Sequence, residues 1–133
     1  MARPTTQPLT GGCLCKGVRY SVSGPMKSQV HCHCESCRRA TSSAFTSWFT
    51  VARNDVTFSG LAPSAYHSSP GVTRTFCPRC GSPLAFETVG RPDDVDFYAA
   101  SLDDQGNFKP TKHVFWSEHV PWLVLGDDLP REG

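Results

Sequence analysis

The stretch His31-Cys32-His33-Cys34-Glu35-Ser36-Cys37 decides how the rest of this chain reads. It places three thiols within six positions, and soft thiolates crowded in this way point to a bound metal, most often zinc. If residues 31–34 are extended, Cys32 and Cys34 face the same side, because side chains alternate along a strand. Their Cα atoms then stand ~6.6 Å apart. Zinc holds a thiolate sulfur at about 2.3 Å, so the two side chains need only lean inward. Cys37 follows after a short turn. By the same alternation His31 and His33 point away from the face that the thiols share, and read as packing or as support for the ligands rather than as ligands.

Four other cysteines remain: Cys13 and Cys15, a second C-x-C, and Cys77 and Cys80 in Phe76-Cys77-Pro78-Arg79-Cys80-Gly81. Two plus two makes a closed four-thiolate site, which holds structure. Three alone make an open one, where a water or a substrate fits the vacant position. Spacing does not force this partition. Cys34 and Cys37 with Cys77 and Cys80 would also read as a zinc ribbon, leaving Cys13, Cys15 and Cys32 over, though geometry favours the four-plus-three split.

At 133 residues the chain reads as one domain. Structural zinc would add substantially to its core, since ~10–16 kcal/mol of apparent zinc binding is also folding energy. Thirteen basic residues face twelve acidic ones with no run of Lys or Arg, which argues against a nucleic-acid or membrane-surface partner bound by charge. Seven cysteines is an odd number, and they are clustered where a secreted disulfide framework would disperse an even set. The first eleven residues carry Arg3, two prolines and three threonines rather than the apolar block of a signal peptide. No apolar run approaches the ~18 residues of a membrane span. A reduced, cytoplasmic setting is expected.

Along the chain, residues 1–10 read as a polar lead-in, residues 11–126 as the single zinc-binding domain, and residues 127–133 as a polar tail. Val18-Arg19-Tyr20-Ser21-Val22 alternates as a strand does, and Gly24-Pro25 ends it. Further strands are expected at 29–33, 44–51, 56–58, 72–76, 83–89, 95–100 and 112–116, rich in aromatic and β-branched residues. Residues 61–71, with two prolines among serines and glycines, read as a loop. Residues 35–40 suit one or two helical turns. Short strands with almost no helical period indicate a mainly all-β fold. It is a small zinc-stapled sandwich or partly open barrel of antiparallel strands, with one short helix after Cys37.

Five blocks occur here in one order: Gly12-Cys13-Leu14-Cys15, then Val18-Arg19-Tyr20, then Cys32-His33-Cys34-Glu35-Ser36-Cys37-Arg38-Arg39-Ala40-Thr41, then Phe76-Cys77-Pro78-Arg79-Cys80-Gly81-Ser82-Pro83-Leu84, and His113 with Pro121-Trp122. Together they closely resemble the glutathione-dependent formaldehyde-activating family, which also includes the centromere protein V type. The resemblance implies a β-rich zinc fold and two zincs per chain. One is structural, on Cys13, Cys15, Cys77 and Cys80; the other, at or near the active site, is on Cys32, Cys34 and Cys37. It also implies the founding activity, in which glutathione and formaldehyde combine to S-(hydroxymethyl)glutathione, a carbon–sulfur lyase reaction written in reverse. Two departures stand out. The family often has glycine where this chain has Lys16 and Ser42; Gly17 is placed to compensate for the first, and Ser42 is costly if its turn needs a positive φ. The extra length of the founding members is also missing, which bears on the glutathione pocket more than on the zinc sites.

An open three-thiolate zinc suits capture of a substrate thiol, which then attacks an aldehyde as thiolate. Carbonyl activation by the metal suits it less, because three thiolates already donate heavily. Cys32, Cys34 and Cys37 are therefore the expected catalytic set. A closed Cys₃His site completed by a distant histidine is the structural alternative. Glu35 reads as a solvated turn residue sooner than a proton relay. Arg38 is a candidate for steering a substrate carboxylate or an exposed helix charge, and His113 a second candidate for substrate binding. Trp122 is expected to be buried by packing, and Trp48 and Phe49 to be core or pocket wall. The expected function is a zinc-dependent carbon–sulfur lyase type of enzyme acting on a thiol–aldehyde adduct, with a small thiol such as glutathione as partner. The rival is a non-catalytic zinc module that binds a small thiol or a protein. Thiol redox through Cys77 and Cys80 is the weaker third reading.

Overall fold

The computed structural model describes residues 7–133. Two sheets carry the fold, and they do not close into a barrel. The smaller has the order β1-β2-β5, made of β1 (Leu9–Gly12), β2 (Val18–Val22) and β5 (Val56–Gly60). The larger has seven strands in the order β10-β3-β4-β9-β8-β7-β6. They are β3 (Ser28–Cys32), β4 (Thr46–Ala52), β6 (Ser64–Ser69), β7 (Val72–Phe76), β8 (Pro83–Thr88), β9 (Asp94–Tyr98) and β10 (His113–Val114). The expectation of a mainly all-β fold with one short helix holds. All strand pairs are antiparallel except β10 with β3.

The larger sheet uses its two faces differently. Along β4, Phe49 and Val51 are fully buried in the core that the two sheets share, while Trp48 and Thr50 face the other way. Along β9, Val95 and Phe97 enter the same core, and Asp96 and Tyr98 share the side of Trp48 and Thr50. Phe97 stacks between Tyr20, with ring centroids 4.2 Å apart, and Phe49 at 5.6 Å. Each fully buried side chain of this size contributes about 1.5–3 kcal/mol of transfer free energy. In β1, Gly11 lies opposite Tyr20, and any side chain at Gly11 would collide with the Tyr20 hydroxyl. Only glycine allows that approach.

Helix α1 (Glu35–Thr41) begins where the Cys34 sulfur accepts the backbone N–H of Cys37 at 3.3 Å, an N-cap made by a thiol. Glu35 lies at its start and Arg38 and Arg39 at its end, as the helix dipole favours. It stops at Ser42, whose φ is 56.

The structure departs from the sequence reading at several places. Residues 64–69, expected as loop, form β6, an edge strand paired to β7 through a turn in which Gly71 takes φ 76. Its side chains are almost all exposed; backbone pairing and side-chain hydrogen bonds from Thr73 and Arg74 to His67 and Ser68 hold it, and no apolar alternation announces it. Of residues 112–116 only His113 and Val114 pair, because Phe115 turns left-handed (φ 55) into a short 3₁₀ turn, Trp116–Glu118. Leu9 and Thr10 belong to β1 rather than to a lead-in, and Leu9 is buried; residues 1–6 lie outside the described residues. The polar tail docks: Pro130 O accepts from His113 N (2.8 Å) and Glu132 N donates to His113 O (2.8 Å). Trp122 is 71% exposed, not buried, since it sits in a surface turn that none of the described elements covers.

Candidate metal centres

The seven cysteines form two clusters among the described residues, one of Cys13, Cys15, Cys77 and Cys80 and one of Cys32, Cys34 and Cys37. Within each, all sulfurs lie within 4.8 Å of one another. The four-plus-three division is therefore the one the fold brings together, and the ribbon pairing of Cys34 and Cys37 with Cys77 and Cys80 does not form. Tetrahedral zinc with Zn–S near 2.3 Å sets sulfurs about 3.8 Å apart. Observed separations are 3.5 Å for Cys13–Cys15, 3.7 Å for Cys15–Cys77 and 3.7 Å for Cys32–Cys37. The residues present fit the ion at both places.

The four-sulfur cluster is built from the turn after β1 and the knuckle between β7 and β8. Cys13 and Cys77 are buried members of the main core. Backbone N–H groups of Val18, Arg79 and Cys80 donate to their sulfurs at 3.3–3.4 Å, and the Arg79 guanidinium donates to Cys15 Sγ at 3.3 Å. Such donors stabilise thiolate over thiol. The chain leaves Cys15 through Lys16, at φ 66. Gly17 does not take over that left-handed position; it is needed for space, since a Cβ there would press on Arg79 and Leu61.

The three-sulfur cluster joins the end of β3 to α1. Cys32 and Cys37 are buried beside Trp48 and Tyr98, in a small apolar cluster separate from the main core. The Cys37 thiol is drawn well down, chiefly because its sulfur accepts from the Cys32 and Cys34 thiols. Cys32 is pushed up in compensation. No histidine or carboxylate joins the three sulfurs among the described residues, so the Cys₃His alternative does not form.

His31 and His33 point away from the thiols, as alternation requires. His33 Nε2 hydrogen-bonds His113 Nδ1 at 2.8 Å, and His113 Nε2 bonds Asp127 Oδ2 at 2.8 Å. Both rings are buried, and His33 Nδ1 has no hydrogen-bond partner among the described residues. Burial pushes His33 down to about 4, and the His113 hydrogen bond holds Asp127 at about 2. This chain of rings fixes the backbone on which Cys32 and Cys34 sit. His113 is thus behind the thiols, outside the cavity that they face.

That cavity, about 1090 Å³, lies over the outward face of the larger sheet. Cys32, Cys34, Cys37, Trp48, Tyr98 and Phe115 are among its walls. Phe49 is core and Trp48 is pocket wall. The charged residues in the lining are Arg39, Arg74, Arg91 and Asp96. Arg38 is not among them; its Nε reaches His33 O at 3.4 Å. Arg39 pairs with Glu35 at 2.8 Å, and Arg91 with Asp96 at 2.6 Å. Thr50 donates to the other oxygen of Asp96. Arg74 stands over the Phe86 ring, 5.1 Å from its centroid, with Nη1 3.5 Å from Tyr98 Oη and Nε 3.3 Å from Ser68 Oγ. Burial raises the Tyr98 phenol to about 12, which keeps it protonated. Glu35 is a surface residue paired to Arg39, with its N–H on Glu118 Oε1.

Arg74 and Tyr98 were missed by sequence reading. They reach the site only through strand register, Arg74 opposite Phe86 and Tyr98 opposite Trp48. A lone arginine between threonines in residues 72–76 was the available signal.

The sequence signature of the glutathione-dependent formaldehyde-activating enzyme matches residues 8–118. An uncharacterized lyase of Schizosaccharomyces pombe is 33% identical over 76 residues, which cover 57% of this chain and 55% of that protein. The match thus spans little more than half of the yeast protein's length. A crystal structure of a Rhodobacter sphaeroides protein superposes with a TM-score of 0.59 at 21% identity, covering 71% of this chain and 87% of that one, a likeness of fold. No helix among the described residues is long and apolar enough to cross a membrane.

Proposed function

This chain belongs to the glutathione-dependent formaldehyde-activating enzyme family, and from that premise we propose that it is a zinc-dependent enzyme of the carbon–sulfur lyase type acting on a thiol–aldehyde adduct. Formation or breakdown of S-(hydroxymethyl)glutathione is the reaction that the family name suggests. The observation that carries the reading is a cluster of three sulfurs, no fourth protein donor among the described residues, opening on a cavity of about 1090 Å³. The Schizosaccharomyces pombe protein named as a lyase supports the same class.

Cys32, Cys34 and Cys37 would hold the metal of the site, and Cys13, Cys15, Cys77 and Cys80 the structural one. When bound there, zinc would supply the Lewis acidity that favours the nucleophilic thiolate of a substrate thiol. In the synthetic direction the substrate sulfur bonds to the aldehyde carbon, the carbonyl π pair moves to oxygen, and the proton lost by the thiol ends on that oxygen. Tyr98, which keeps its own proton, is the hydroxyl beside the sulfurs suited to donate to the developing alkoxide. Trp48 and Phe86 give the adduct an apolar wall.

Exchange NMR of formaldehyde with thiols, with and without the zinc-loaded protein, tests this. Faster exchange for at least one thiol is expected. No acceleration for any thiol would overturn it, and binding without acceleration would leave the non-catalytic zinc module.

A further inference from the structure

Among the described residues, the arginines of the cavity wall outnumber its carboxylates. Asp96 is its one carboxylate, and Arg91 and Thr50 already occupy it. Arg39 is matched by Glu35. Arg74 alone among the lining arginines has no carboxylate within ion-pair distance among the described residues.

Its side chain is nonetheless held in place. Phe86 lies under the guanidinium, Ser68 takes Nε, and the Tyr98 hydroxyl takes Nη1. A planar cation fixed on one face by an aromatic ring keeps its remaining N–H groups in a fork that fits a carboxylate. Tyr98 packs against Cys32 and Cys37, so one residue separates this fork from the sulfurs. A molecule that places a thiol at the sulfurs therefore has room to place an acid at Arg74.

We propose that Arg74 is the specificity-determining residue of the cavity, pairing with a carboxylate on the thiol substrate and selecting carboxylate-bearing thiols over neutral ones. This rests on the thiol–aldehyde reading of the same site. It assigns to strand β7 the role for which Arg38 of the helix was the sequence candidate.

The test uses the zinc-loaded full chain with glutathione and 3-mercaptopropionate as acidic thiols and 2-mercaptoethanol as the neutral one. Isothermal titration measures binding, and exchange NMR measures turnover with formaldehyde. Wild type is expected to prefer the acidic thiols by about ten- to a hundredfold. Arg74→Gln should erase that preference through binding and KM, weakening the acidic thiols at least about tenfold more than 2-mercaptoethanol; Arg74→Lys should restore part of it. Equal binding of acidic and neutral thiols by wild type would overturn the proposal. So would an Arg74→Gln protein weakened equally toward both, the result expected if Arg74 only offsets thiolate charge. Should Arg74→Gln not fold, the wild-type ligand series and Arg74→Lys still decide. Absence of turnover with any thiol would sink the lyase reading, while the titrations would still decide the role of Arg74.

Discussion

Cys13 and Cys77 are packed among Val18, Leu84 and Phe97, inside the cluster that unites both sheets. Cys32 and Cys37 share a small apolar cluster with Trp48 and Tyr98 and face open space. The two groups share donor type and spacing, and each is delivered by short turns rather than by long elements. What separates them is the count of sulfurs and the neighbour on the far side. Where a fourth sulfur and the core close the shell, a metal can only hold chain segments together. Where a cavity takes the fourth direction, the same chemistry is available to a guest.

Removing one sulfur from each group is the strongest attempt to break this contrast. Cys77→Ser should cost more than about 5 kcal/mol, because metal binding there is also folding energy, and a domain with 5–15 kcal/mol of total stability would lose its cooperative thermal transition. Cys37→Ser should keep the fold by circular dichroism yet lower thiol–formaldehyde exchange at least a hundredfold. If both variants unfold alike, the contrast fails.

Metal removal sharpens it without mutation. A chromophoric chelator should take two zincs per chain in two phases, the first leaving near-ultraviolet circular dichroism unchanged and abolishing exchange activity. Added glutathione should alter only that first phase. One phase, or two that both erase tertiary structure, would contradict the assignment.

Smaller effects attend the backbone beside each cluster. Lys16 follows Cys15 at φ 66, and Ser42 ends the helix after Cys37 at φ 56. Left-handed backbone costs an ordinary L-residue about 1–2 kcal/mol, partly offset in glycine by greater unfolded-state freedom. Lys16→Gly and Ser42→Gly should each raise stability by about 0.5–1 kcal/mol in urea denaturation, with activity unchanged.

The mildest prediction concerns acid. Asp127 is held near 2 against an ordinary 3.8 by its hydrogen bond to His113. A depressed folded pKa means that its contribution is whole above the ordinary value and lost as pH falls from there toward 2. The stability gap between wild type and Asp127→Asn, read from urea midpoints, should therefore be constant above about pH 5 and narrow below pH 4.

The four-sulfur grouping was legible from the family resemblance, whereas the C-x-C and C-x-x-C spacings alone left the ribbon of Cys34, Cys37, Cys77 and Cys80 open. Strand Val18–Val22 was legible from alternation and is found with the same bounds. The cavity walls were not. Arg74, Phe86, Asp96 and Tyr98 come from three strands, and their proximity exists only once the register is set. Arg38 adjoins the thiols in the sequence and Arg74 does not, yet Arg74 lines the cavity and Arg38 does not. Strand β6 escaped detection because an exposed edge needs no apolar residues, and Trp122 misled because aromatic size alone carries no information about what covers it.

The alternation along β4 and β9 has a consequence for how such a protein can diverge. Phe49, Val51, Val95 and Phe97 answer to packing, while Trp48, Thr50, Asp96 and Tyr98 answer to whatever enters from the opposite side. Every second position can drift toward a new guest while its neighbours stay unchanged, so one scaffold can acquire different selectivities without first surrendering its fold.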